Sequence, residues 1–108
     1  MKVTKKVLHE RLINDLVSRL TVAGRYDNII TDYEYCEWSR RRTIDVLAHD
    51  NKTYHFYKVD YEHSKRGLLT ANEEYKDFCR AHPGARTKGI YYNKRRTTRI
   101  RLGDDNQW

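Results

Sequence analysis

Leucines recur every four residues near the start of the chain, at Leu8, Leu12, Leu16 and Leu20, with Ile13 and Val17 beside them. That spacing lays one apolar stripe along a helix and predicts α-helix over roughly 5–23. Thr4 is placed to cap its start and Gly24 to end it. The period then changes. NIITDYEYCEW, 28–38, is aromatic and β-branched, as strands prefer. An arginine loop, SRRR, leads to a strand RTIDVLA at 42–48, a turn HDNK at 49–52 and a returning strand TYHFYKVDY at 53–61. With Asp50-Asn51 as a two-residue hairpin loop, Ala48 pairs with Thr53 and Asp45 lies opposite Phe56. A second helix starts near Lys65, or after Thr70, where Thr70-Ala71-Asn72-Glu73 fits a capping box. Tyr75, Phe78 and Cys79 fall at helical spacing, and Pro83-Gly84 stops the helix. TKGIYYN, a turn NKRR and TTRIRL complete the pattern with two strands.

Helix, three strands, helix, two strands predicts a single small α/β domain, 1–103, with a flexible tail at 104–108. The third strand, the second helix and the fourth strand form a crossover, so the central sheet should be mixed. A chain of 108 residues suits one modest core. At 38% hydrophobic and 34% charged it is polar, yet nine Tyr, two Trp and two Phe supply large side chains enough to bury. No apolar run approaches a membrane span, and the basic start has no apolar stretch long enough for export, so the cytoplasm is the expected compartment. Cys36 and Cys79 belong to no CxxC or Cys/His pattern and read as buried free thiols.

Charge changes the picture most. The net formal charge is +7 and much of it is clustered arginine. Arg40, Arg41 and Arg42 form one group. Arg86, Lys88, Lys94, Arg95, Arg96, Arg99 and Arg101 form another, with no acid between 86 and 101. Arginine donates two parallel hydrogen bonds to phosphate, which makes nucleic acid the leading partner, DNA ahead of RNA. Tyr91 and Tyr92, interleaved with these cations, suit either base stacking or a core. A twisted hairpin with a solvated outer face is the alternative, and phosphate binding is preferred because arginine predominates and no acid interrupts the run.

Asp45 interrupts an apolar strand and has to be paired, solvated or metal-bound. In the predicted register it shares a face with Lys58 and Asp60. Two carboxylates there suit Mg²⁺ or Mn²⁺, and a lysine beside them can orient an attacking water. An ordinary ion pair of Lys58 with Asp45 or Asp60 accounts for the same residues without chemistry. Glu34 and Glu37 lie on opposite strand faces, so at most one could add a ligand, and Glu34 is the choice. His9, His49, His55, His63 and His82 are scattered. His49 and His63 flank the hairpin and read as solvent-exposed. No Ser/His/Asp arrangement and no phosphate-cradling glycine loop is visible.

From Glu10 to Asn93 the chain resembles the PD-(D/E)xK nuclease superfamily, which includes restriction-type endonucleases and archaeal Holliday-junction resolvases. The resemblance lies in the order of elements and in "RTIDVLAHD", whose Asp45 matches the family's lone aspartate. "YKVDY" stands where the family has an acid, any residue and lysine, but here Lys58 precedes Asp60. Glu10 matches a glutamate frequent in the first helix, and "TANEEYKDF" offers Asn72, Glu73 and Tyr75 near the site. The resemblance implies a restriction-endonuclease-like core, with Asp45 and Asp60 holding Mg²⁺ or Mn²⁺. Lys58 would orient water or stabilise charge on phosphate, and Glu10 would assist. Arg40 to Arg42, Lys94, Arg95, Arg96, Arg99 and Arg101 would grip the backbone. A homodimer would suit cutting both strands of a duplex.

Three functions follow from these residues. One is a metal-dependent DNA endonuclease. The second is a DNA-binding module on the same fold that does not cut. The third is a small basic interaction protein that modulates a partner enzyme.

Overall fold

The computed structural model describes residues 4–37, 40–61, 64–93 and 98–102, apart from the side chains of 36, 37, 40–42 and 98–101. Its elements are α1 (Lys5–Ala23), β1 (Asn28–Glu37), β2 (Arg40–His49), β3 (Thr53–Val59), α2 (Lys65–Ala81), β4 (Arg86–Asn93) and β5 (Thr98–Leu102). The five strands form one sheet in the order of the sequence. β3 and β4 are parallel, joined across α2, and the other neighbours are antiparallel. The expected α/β domain with a mixed sheet is therefore the observed one. No described helix is long and apolar enough to cross a membrane.

The first helix follows its predicted bounds. The Thr4 side chain accepts from the Val7 N–H, and Gly24 closes the helix in the left-handed region at φ 71°. Its leucine stripe packs on one sheet face with Val46, Ala48, Tyr57, Val59 and Tyr92. On the other face, Leu68, Ala71, Tyr75 and Phe78 of α2 cover Leu47, Phe56 and Tyr91. Consecutive residues divide between these cores: Phe56 and Tyr57, or Tyr91 and Tyr92. That is strand alternation, and it makes the molecule three layers with a helix on each side. Fully burying Phe56 or Phe78 contributes about 1.5–3 kcal/mol each. Gly89 of β4 makes room for Tyr75, since a Cβ there would sit 2.7 Å from its ring.

Two local expectations are corrected, and the open choice of start for the second helix is decided. Arg40 to Arg42 begin β2 instead of forming a loop. The second helix starts at Lys65, with the Ser64 hydroxyl accepting from the Gly67 N–H, so the Thr70 capping box lies inside the helix. The hairpin register is shifted by two: Ala48 pairs with His55, and Asn51-Lys52 form the loop. The cause is Asp50, whose Oδ1 accepts from both the Lys52 and Thr53 N–H groups and fixes the turn one residue later. A shift of two leaves every side chain on its own face. It makes Lys58, not Phe56, the residue opposite Asp45.

Candidate functional site

The site is built where β2 and β3 part. Their ladder ends at Val46 and Tyr57. Bonded pairs in this ladder alternate from Asp50–Thr53, so Ile44 and Val59 would be next to exchange both backbone bonds. Side chains make those bonds instead. The Asp45 Oδ2 accepts from the Val59 N–H at 2.8 Å. The His9 Nε2–H, reaching down from α1, donates to the Val59 carbonyl at 2.7 Å.

The strands change character at the same level. Val46 and Ala48 belong to the α1 core, but Ile44, two residues before Val46, belongs to the α2 core. On β1, Ile29 packs on the α1 side and Tyr33, four residues on, packs on the α2 side. Alternation therefore inverts on both strands, at Asp45 and at its opposite neighbour Asp32. The pairing register on either side is unchanged. Asp32 has φ 52°, the one left-handed non-glycine residue among those described, and Asp is among the residue types that tolerate that region. Asp45 consequently projects into the fork between strands, with access to groups from both layers.

Four elements meet there. Lys58 Nζ lies 3.9 Å from Asp45 Oδ2 and 3.4 Å from Glu74 Oε2 of α2. His9 Nε2 is 3.7 Å from Asp45 Oδ1. Burial pushes the Asp45 carboxyl above its ordinary range, only partly offset by Lys58, the Val59 N–H and His9. For Lys58, burial opposes the charge. Asp45, Glu74 and Asp60 together outweigh it and hold the ammonium more firmly protonated than usual. The Asp60 Oδ2 accepts a 2.6 Å bond from the Tyr91 hydroxyl. Burial and this carboxylate raise the Tyr91 hydroxyl well above the usual phenol range. Gly67 is required beside them, because a Cβ would stand 2.5 Å from Asp60 Oδ2 and 2.8 Å from Tyr91 Oη.

Of the residues expected in the site, Asp45 and Lys58 come together. Asp60 is close enough to influence both, but it follows the end of β3 and is bonded to Tyr91. Glu10 is exposed on α1, and its neighbour His9 makes the contact instead. Glu34 and Glu73 are exposed, while Tyr75 is buried with its hydroxyl on Thr87 Oγ1. Glu74, which the sequence did not single out, pairs with Lys58. Its one local signal is a carboxylate next to Tyr75 on the inner side of an amphipathic helix. Cys79, half-buried and free, contacts Thr87 Oγ1.

Among the described residues the carboxylates do not present a ligand set for Mg²⁺ or Mn²⁺. One Asp45 oxygen is on a backbone N–H, one Asp60 oxygen is on a phenol, and Lys58 holds the space between acids that a cation would need. Among the described residues no group of three His, Cys, Asp or Glu side chains is arranged to hold a metal ion. Lys94, Arg95 and Arg96 lie outside the described residues, as do His63 and the tail at 104–108. Arg40, Arg41, Arg42, Arg99 and Arg101 are described only as backbone on β2 and β5. No protein-family model matches the chain, and no curated protein or solved structure matches it either.

Proposed function

We propose that the protein binds nucleic acid, DNA in preference to RNA, through its basic segments, and that it does so without metal-dependent cleavage. The observation that carries the reading is the run from Arg86 to Arg101, which holds seven Lys or Arg and no acid. A surface of that kind releases counterions from phosphate and binds in a strongly salt-dependent way. Arg86 and Lys88, the described cations of this run on β4, are exposed. The fork of β2 and β3 supports the second half of the proposal. Lys58 is neutralised by its own acids, and Asp45 acts as a backbone acceptor.

The nuclease reading keeps one favourable observation: an aspartate and a lysine side by side at the parting of two central strands, in a helix, three strands, helix, strand layout. Cutting would require Lys58 to be displaced before Mg²⁺ or Mn²⁺ could bind. The test incubates the protein with supercoiled plasmid and labelled single-stranded and branched DNA, in Mg²⁺, Mn²⁺ or EDTA. Asp45→Asn serves as control. Salt-dependent retardation without nicking is the expected result. Nicking that needs metal and disappears in Asp45→Asn would overturn the non-cutting reading. Absence of any retardation would turn the assignment to an acidic protein partner.

A further inference from the structure

The opposite end of the sheet holds a cleft that the basic runs do not explain. Tyr54, at the start of β3, lines two adjoining cavities. One, of about 210 Å³, is also lined by Asn28, His49 and His82. The other is lined by Lys52, Arg86 and the Pro83-Gly84 turn, where open space lies beyond Gly84. Three rings meet around the boundary. His49 lies 4.3 Å from the Tyr54 ring centre and His82 lies 6.1 Å from it. Phe78 supports them from the core, 4.4 Å from His82.

The polar groups here have capacity to spare. The His82 Nδ1–H donates to the Phe78 carbonyl, which leaves Nε2 without a hydrogen-bond partner among the described residues. Lys52 and Arg86 are exposed and form no ion pair among the described residues. Pairing of Thr53 with Arg86 brings the two cations to the ends of adjacent strands. The neighbouring carboxylate, Asp50, is already engaged by two backbone N–H groups and by His55. Aromatic rings beside uncompensated cations are what an unpaired base and its phosphate need.

We propose that this cleft takes one unpaired nucleotide, its base against the Tyr54 and His82 rings and its phosphate between Lys52 and Arg86. Bound nucleic acid would then be held at a single-stranded stretch or end. The inference rests on the nucleic-acid reading above and specifies the form of the ligand.

The test is NMR titration of the whole protein with thymidine 5′-monophosphate, inorganic phosphate and hexathymidylate, following the Tyr54, His49 and His82 rings. Binding of labelled hexathymidylate is measured alongside. The monophosphate and hexathymidylate are expected to shift the rings, and inorganic phosphate is not. The double variant Lys52→Ala/Arg86→Ala alters exposed side chains only. It should weaken hexathymidylate about tenfold and reduce the salt slope by about 0.7, the value for one neutralised phosphate on a single strand. Tyr54→Leu keeps apolar bulk against Phe78 and should weaken binding by about fivefold or more, the loss of one stacked base. Rings unmoved by both ligands, with DNA still bound in a salt-dependent way, would overturn the cleft and leave the nucleic-acid reading intact. Ring shifts with the monophosphate but none with hexathymidylate would overturn the proposal as well, since the cleft would then hold only a free nucleotide.

Discussion

The two ends of β3 treat charge in opposite ways. At the Val59 end, Lys58, Asp45, Glu74 and His9 are drawn together between the layers, with the lysine set between two carboxylates. At the Tyr54 end, Lys52 and Arg86 stand exposed beside aromatic rings. A strand of seven residues thus runs from a buried, charge-paired cluster to an exposed surface with cations left over. A lysine next to carboxylates does not by itself mark chemistry. What matters is whether anything remains for a ligand to meet.

The largest effect should come from emptying the closed end. Lys58→Met leaves Asp45 and Glu74 as buried acids without a cation. Urea unfolding should show a loss of about 3–5 kcal/mol, the range for breaking a buried pair from one side. A loss below about 1 kcal/mol would mean that the cluster is solvated, and the contrast between the ends would fail. Gly67→Ala comes next. The helix gains about 1 kcal/mol from alanine, but the new Cβ displaces Asp60, Ser64 and Tyr91. A net destabilisation of about 1–2 kcal/mol is expected in the same assay.

Two aspartates then sharpen the comparison through pH. The Asp45 carboxyl is held above its ordinary value of 3.8, so the fold binds that proton more tightly than the unfolded chain does. Its contribution is present below 3.8 and is lost as pH rises through the folded value. The advantage of Asp45→Asn over the parent should therefore grow from acid to neutral pH. At the hairpin end, Asp50 is lowered to about 2 by His55 and the Lys52 and Thr53 N–H groups. Its contribution is present above 3.8 and is lost as pH falls toward 2, so the cost of Asp50→Asn should shrink on acidification. Unfolding midpoints of both variants and the parent, measured across this range, should diverge with opposite slopes. Smallest of all, Lys52→Ala/Arg86→Ala should change stability by no more than about 0.5 kcal/mol. A larger loss would show that those cations also support the fold.

Much of the architecture was legible because it rests on local rules. The leucine stripe, Thr4 and Gly24 define α1, and the crossover predicts the mixed sheet. The hairpin register was missed because Asp50 reads as a loop residue until its side chain is seen holding the turn. The Thr70 motif was outcompeted by Ser64, since helix starts depend on which cap the preceding loop delivers. Asp45 and Lys58 were found because a strand pattern is short-range and a shift of two preserves faces. Glu74 and His9 were not, because they arrive from different helices on opposite layers. The cleft at Tyr54 joins residues from β2, β3 and the turn after α2, so no single stretch announces it.

The fork at Val59 also gives the protein a built-in indicator. Its amide proton is bonded to a carboxylate, an acceptor whose strength depends on ionisation. Its carbonyl is bonded to an imidazole. The chemical shift of that one amide will follow the protonation of Asp45 directly, while its ladder neighbours stay fixed. An observer watching Val59 alone could tell from a spectrum whether the buried acid is charged, with no label attached.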